Sequence, residues 1–172
     1  MLKVQLPGKI NIHQTHRKMK NFWILMLVVF VFSGMLLKAQ SRQDSLSIEK
    51  ACRNYVEGWA TGDADRVAKG VSPELVKRTI GQDKEGRSYT NNMSASLLIV
   101  ATKMNKEGVR GKDLEPDKPF KLDVRIFDVT GDYALAKAVN KKYGFFDYCQ
   151  LAKYNGEWKI INVLWGWVPQ KK

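Results

Sequence analysis

The sequence predicts an α+β domain, in which helices pack on one face of an antiparallel sheet. Apolar residues between Asp44 and Met104 recur mostly at helical spacing, which is typical of helices that bury one side. From Phe120 onward the spacing changes to alternation, which is typical of half-buried strands. The dipeptide Asn155-Gly156 is the strongest short signal for a hairpin turn. Helices followed by a meander of strands define this fold class.

Three segments have helical character. The first helix begins near Asp44, and Thr61-Gly62-Asp63 predicts its end and the N-cap of the next one. A shorter second helix is predicted over Ala64–Lys69, and a third after Asn92. The apolar stripe of the first helix consists of Ile48, Cys52, Tyr55, Val56 and Trp59, and that of the third of Met93, Leu97, Ala101 and Met104.

Five segments have strand character, and a polar loop over Gly81–Arg87 follows the first of them. The turn Thr130-Gly131-Asp132 separates the second from the third. The predicted strands are Leu75–Ile80, Phe120–Ile126, Tyr133–Tyr143, Phe145–Tyr154 and Glu157–Trp167.

The N-terminal residues have the pattern of an export signal. Residues 21–37 carry no charge and follow Arg17, Lys18 and Lys20, which is the order of a signal peptide. We expect cleavage after Ala39; without cleavage, this segment would be a short membrane anchor and the only membrane contact. Residues 1–39 are therefore predicted to be a leader and signal peptide or an uncleaved anchor. Residues 40–172 are predicted to form one periplasmic or secreted domain.

Charge and composition exclude several classes of function for residues 40–172. The leader contains six Lys or Arg and no acid, so its removal lowers the net charge by six, from +12 to +6. The remaining basic residues are scattered, and we expect no nucleic-acid partner. Both histidines, His13 and His16, lie in the leader. A domain without His and with two Cys lacks a Ser-His-Asp relay and the usual zinc ligands, so no catalytic residue, metal or cofactor is assigned.

Four motifs carry a family resemblance by their order and spacing. They are Tyr55–Ala64, Pro73–Arg78, Gly131–Ala134, and Asp147-Tyr148 leading to Gly156–Asn162. The chain resembles the nuclear transport factor 2-like superfamily over nearly all of residues 44–168. Within it, the chain is similar to small secreted bacterial proteins called putative lumazine-binding (SnoaL-like).

The resemblance implies a cone-shaped fold, in which three N-terminal helices pack on a curved antiparallel sheet around a pocket. It also implies a homodimer in many members. Relatives often carry His where this chain has Ser72 and Gly166. Any chemistry of those histidines is therefore absent here.

The last hairpin predicts which side chains face the pocket. Direct pairing about its turn puts Asp147 and Asn162 on one otherwise apolar face, which in the family faces the helices. Buried polar groups need partners, so these two bond either within the protein or to a ligand. One interpretation is a small aromatic or heterocyclic ligand between Tyr55 and Trp59, with Asp147 and Asn162 at its polar edge. The other is that both aromatic residues are core.

Cys52 and Cys149 both fall on inward-facing positions of this arrangement. A disulfide joining the first helix to the sheet is therefore conceivable. The alternative is a pair of buried free thiols that act as small hydrophobic groups.

Three functions stay open. Non-catalytic binding is favoured, because the domain lacks His and no second carboxylate pairs with Asp147. An isomerase-like or dehydratase-like enzyme would use Asp147 with Tyr55 or Tyr148 to move a proton. An assembly module would dimerise through the outer sheet face, predicted to comprise Phe146, Tyr148, Ile161, Val163 and Trp165.

Overall fold

Helices and strands occur in the predicted order in the computed structural model, which describes residues 42–104 and 120–169. Helix α1 includes residues 42–61, α2 is Ala64–Gly70 and α3 is Ala95–Met104. The strands are β1 Val71–Gln82, β2 Ser88–Ser94, β3 Leu122–Thr130, β4 Tyr133–Asn140, β5 Phe145–Tyr154 and β6 Glu157–Trp167. The predicted leader and its cleavage point after Ala39 lie outside the described residues.

The six strands form one curved sheet in the order β2-β1-β6-β5-β4-β3. Neighbours are antiparallel except for β1 and β6, which run parallel. The predicted α+β class is thereby confirmed, with one parallel pair that the sequence did not indicate. No helix among the described residues is both long and apolar enough to span a lipid bilayer.

Helix α1 supplies the centre of the core. Its stripe faces the sheet as predicted, with Ile48, Cys52, Tyr55 and Val56 at most 2% exposed. Its first turn is fixed to the last hairpin by Asp44, whose Oδ1 accepts a hydrogen bond from Trp158 Nε1 at 2.9 Å. The described residues from Gln43 onward belong to one compact unit.

Helix α2 folds back closely on α1, and two glycines permit this. Asp63 is the N-cap, and its side chain accepts from the backbone N–H of Arg66. A Cβ atom at Gly70 would lie 2.5 Å from the carbonyl oxygen of Ala51 and 2.8 Å from the backbone nitrogen of Tyr55. At Gly58 it would lie 2.9 Å from the carbonyl oxygen of Asp63. The glycine inside α1 is therefore needed for helix packing.

Strand β2 was missed, and the stripe predicted for α3 was wrong. The β2 sequence is polar and mostly exposed, so it lacks the apolar alternation by which a strand is recognised. Helix α3 begins only after β2, with Ser94 Oγ accepting from the Leu97 N–H at 3.2 Å. Ala95, Leu98 and Thr102 are the buried residues of α3, whereas Leu97 and Met104 are exposed.

A β-bulge in β6 changes the predicted faces of the sheet. The hairpin register holds as predicted up to the pair Leu151 and Ile160, but the next pair is Gln150 with Asn162. Ile161 is thus an extra residue, and a one-residue shift turns every later side chain to the other face. Val163 and Trp165 therefore face inward, while Asn162 and Leu164 face outward.

The bulge also corrects the predicted dimerisation surface. Val163 is 1% exposed and belongs to the core, and Trp165 packs against that core. Of the five residues assigned to the outer face, these two lie on the inner face. Phe146 and Tyr148 stay on the outer face, where Lys137 Nζ lies 4.8 and 4.9 Å from their ring centroids.

We predict that Gly70→Ala lowers the free energy of unfolding by about 1–3 kcal/mol, because the new methyl group would force the backbones of α1 and α2 apart. Urea unfolding followed by circular dichroism measures the change. Lys50→Ala, at an exposed position of α1, is the control and should stay within about 0.5 kcal/mol of wild type. Equal stability of Gly70→Ala and wild type would contradict the proposed close contact.

Candidate functional site

A cavity of about 240 Å³ lies between α1, α3 and the inner face of the sheet. Much of its wall is aromatic. The rings of Trp59 and Phe145 meet edge to face with centroids 5.4 Å apart, and those of Trp165 and Trp167 do the same at 5.4 Å. Trp167 lines the cavity and is 67% exposed. The wall suits a flat apolar group.

Asp147 is the acidic residue in this wall, and it is completely buried. It points inward from β5, where alternation places it on the same face as Cys149 and Leu151. Its Oδ1 accepts hydrogen bonds from the hydroxyl of Tyr55 at 3.0 Å and from Nζ of Lys77 at 3.1 Å. Its Oδ2 is also buried and has no hydrogen-bond partner among the residues that the structure describes. A buried carboxylate oxygen without a donor is unusual in a folded protein.

Lys77 supplies the positive charge that balances Asp147. It lies on β1 with its side chain 16% exposed, and Nζ also donates to the Tyr55 hydroxyl at 2.5 Å. The ammonium group lies 5.2 Å from the ring centroid of Tyr55 and 4.9 Å from that of Trp165, close enough for cation–π attraction. An ammonium group has three N–H donors. Two are used by described residues, so one is available to a bound molecule.

Tyr55 completes a ring of three hydrogen-bonded groups. Burial raises the pKa of its phenol well above the ordinary value, and the negative charge of Asp147 raises it further. The phenol therefore stays protonated near neutral pH. It accepts from Lys77 and donates to Asp147, so α1, β1 and β5 are joined at one point.

Three of the four predicted ligand-binding residues meet at the cavity, namely Tyr55, Trp59 and Asp147. The placement of Asn162 beside Asp147 was wrong, because the bulge at Ile161 turns it outward. Its Oδ1 accepts from Arg78 at 3.2 Å, and its Nδ2 donates to Gln150 at 3.1 Å, both on the outer face.

Lys77 was not predicted as a site residue. One sequence signal was present, because in a strand it shares a face with Leu75, which is buried. Ile80 gave the contrary signal. It lies on the strand face that Lys77 does not share, and an apolar residue there predicts that this other face is buried. In the structure Ile80 is 63% exposed.

The two cysteines face the same core and are free thiols in the structure, which corresponds to the second of the two alternatives left open by the sequence. Cys52 and Cys149 are both fully buried. The hydrogen bond with Cys52 raises the pKa of the Cys149 thiol well above its ordinary value, and burial raises it further. The described residues include no group of three or more His, Cys, Asp or Glu side chains that could bind a metal.

Solved structures show the same fold at low sequence identity. An NTF2-like protein with a cystatin-like fold from Novosphingobium aromaticivorans matches with a TM-score of 0.56 and 12% identity, over 80% of this chain and 90% of that chain. An NTF2-like protein of unknown function from Silicibacter pomeroyi matches with a TM-score of 0.51 and 16% identity, over 74% and 98%. An NTF2-like protein from Cytophaga hutchinsonii matches with a TM-score of 0.50 and 13% identity, over 74% of this chain and 98% of that chain.

These structures place the chain in the NTF2-like fold class. The family described as putative lumazine-binding matches residues 43–166, which is more than half of the chain. The chain belongs to this family, and the resemblance drawn from its motifs is confirmed. No curated protein matches it.

We expect neither cysteine to react with a thiol reagent such as Ellman's reagent while the protein is folded. Both are inaccessible, and the raised pKa of Cys149 lowers its thiolate fraction. Protein that is purified in reductant and then freed of it should react after unfolding in guanidinium chloride. It should then release two equivalents of the coloured thiolate of the reagent, one for each cysteine. Rapid release of one equivalent from folded protein would contradict the burial.

Lys77→Met should destabilise the protein by about 3–5 kcal/mol, because it leaves the buried Asp147 charge without its partner. In the double variant Lys77→Met with Asp147→Asn no charge remains, so most of that loss should be recovered. Chemical unfolding of both variants measures the difference. If the double variant is as unstable as the single one, the ion pair is not the cause.

Proposed function

We propose that this protein binds one small aromatic or heterocyclic molecule in its cavity, without transforming it, and that it acts outside the cytoplasm. The observation that carries the binding proposal is the incomplete hydrogen bonding of an ion pair in the wall of a cavity that several aromatic rings line. Asp147 Oδ2 has no donor, and one N–H of Lys77 has no acceptor among the described residues. The N-terminal signal pattern supports export.

The volume of the cavity limits the size of the ligand. A cavity of about 150 Å³ is large enough for benzene, and pockets for drug-sized molecules begin near 300 Å³. A volume of about 240 Å³ lies between these values. One or two fused rings would therefore fill it. The name of the family agrees with this, since lumazine is a heterocycle of two fused rings.

The placement of Asp147 favours binding over proton transfer. An isomerase-like enzyme would use the carboxylate as base and a Tyr hydroxyl as acid, and both groups must contact the substrate. Here the Tyr55 hydroxyl donates to Oδ1 of Asp147 and accepts from Lys77, so it is directed at the carboxylate rather than at the cavity. Lys77 also donates to the same oxygen. These contacts suit recognition of a ligand better than proton transfer.

Native mass spectrometry of the protein, expressed with its own N-terminal segment and purified gently, tests the proposal. We expect a reproducible small-molecule adduct, or binding of added two-ring aromatics that quenches tryptophan fluorescence. Trp59→Leu should weaken this binding at least about tenfold, because it removes one aromatic wall of the cavity. Tyr133→Ala, which removes an exposed aromatic ring outside the cavity lining, should not.

Circular dichroism must first show that Trp59→Leu is folded. Absence of any adduct, together with no binding of added aromatics, would reject the proposal. Equal binding by the Trp59→Leu variant would place the ligand elsewhere.

A further inference from the structure

We infer that the ligand is uncharged and presents a lactam edge, a ring carbonyl beside a ring N–H, to Lys77 and Asp147. This inference rests on the proposed binding function and specifies the chemistry of the same site. It follows from three features of the ion pair, namely its free donor, its free acceptor and its balanced charge.

The free donor belongs to Lys77. Its side chain is 16% exposed, whereas Asp147 is 0% and Tyr55 2% exposed. An entering molecule therefore meets the ammonium group before it meets the carboxylate. The remaining N–H can donate to a ligand, and a carbonyl oxygen in the plane of a flat ring is a suitable acceptor. The Trp165 ring, 4.9 Å from Nζ, would lie alongside such a ring.

The free acceptor is Oδ2 of Asp147. It is closed to solvent in the structure, while Oδ1 carries both hydrogen bonds. Asp147 lines the cavity, and the terminal torsion of an aspartate is broad. A partial turn of the carboxylate can thus bring one oxygen toward a ligand N–H while the other keeps its bonds to Tyr55 and Lys77. A ligand with adjacent C=O and N–H groups then accepts from Lys77 and donates to Asp147.

The balance of charge selects against anions. Lys77 and Asp147 cancel, and they are the charged side chains among the cavity-lining residues. A carboxylate ligand would leave one buried negative charge without a partner, which is strongly unfavourable in an apolar surrounding. A lactam adds no charge. Uncharged heterocycles should therefore bind more tightly than aromatic acids of the same size.

Four two-ring probes of similar size separate these features by isothermal titration calorimetry with the full-length protein. Quinolin-2-one has the carbonyl and the N–H, coumarin has the carbonyl with oxygen in place of the N–H, naphthalene has neither, and 2-naphthoate is an anion. We expect quinolin-2-one to bind at least about tenfold more tightly than naphthalene or 2-naphthoate, with coumarin between, because unpaired buried polar groups weaken binding.

Asp147→Asn provides the sharpest test. It removes the negative charge and leaves the Lys77 ammonium unbalanced. The affinity for 2-naphthoate should then rise about tenfold or more, and this anion should become the tightest of the four probes. Lys77→Met, if folded, should bind coumarin no better than naphthalene. Asn162→Ala, on the outer face, is the matched control and should leave all four affinities unchanged.

The outcomes separate this inference from the binding proposal. If no probe binds, the proposed function fails and the inference with it. If naphthalene binds wild type as tightly as quinolin-2-one, or 2-naphthoate binds tightest, the cavity binds aromatics but the lactam edge is wrong. If Asp147→Asn binds 2-naphthoate no more tightly than wild type does, the inference from charge balance is wrong.

Discussion

The buried carboxylate of Asp147 is the point on which the arrangement of this domain depends. Through Tyr55 it holds α1, and through Lys77 it holds β1, so the central helix and two separate strands are fixed to one another. The cavity lies beside this polar contact, since Tyr55, Lys77 and Asp147 all line it. The fit of α2 against α1 is a separate constraint, which requires glycine at position 70.

The bulge at Ile161 decides what that cavity contains. It brings Trp165 to the inner face and moves Asn162 to the outer one. Without it, an amide would lie beside Asp147 and could satisfy its free oxygen. With it, the neighbouring wall is an indole ring, and no residue in the described part of the chain donates to the carboxylate Oδ2. One additional residue in a strand therefore makes the difference between a satisfied core and an incompletely bonded site.

Local signals predicted much of the fold, and long-range pairing accounts for what they missed. Helix α2, its N-cap Asp63 and the Asn155-Gly156 hairpin depend on neighbouring residues, so the sequence indicates them directly. Helix and strand periodicity placed Tyr55, Trp59 and Asp147 on inward faces, and the family resemblance implied the pocket that these faces line. The polar strand β2, the parallel pairing of β1 with β6 and the bulge depend on partners distant in sequence. Lys77 could be recognised only once that pairing was known.

Stability alone does not explain the ion pair. A buried salt bridge is often no more stabilising than apolar side chains of similar volume, because both charges must first lose their water. Here Asp147 Oδ2 has lost its water and gains no hydrogen bond in return from residues 42–104 and 120–169. A core selected only for packing would have little need of Lys77 and Asp147 at this place. Their position in the wall of an aromatic cavity is explained if the missing donor and acceptor arrive with a ligand.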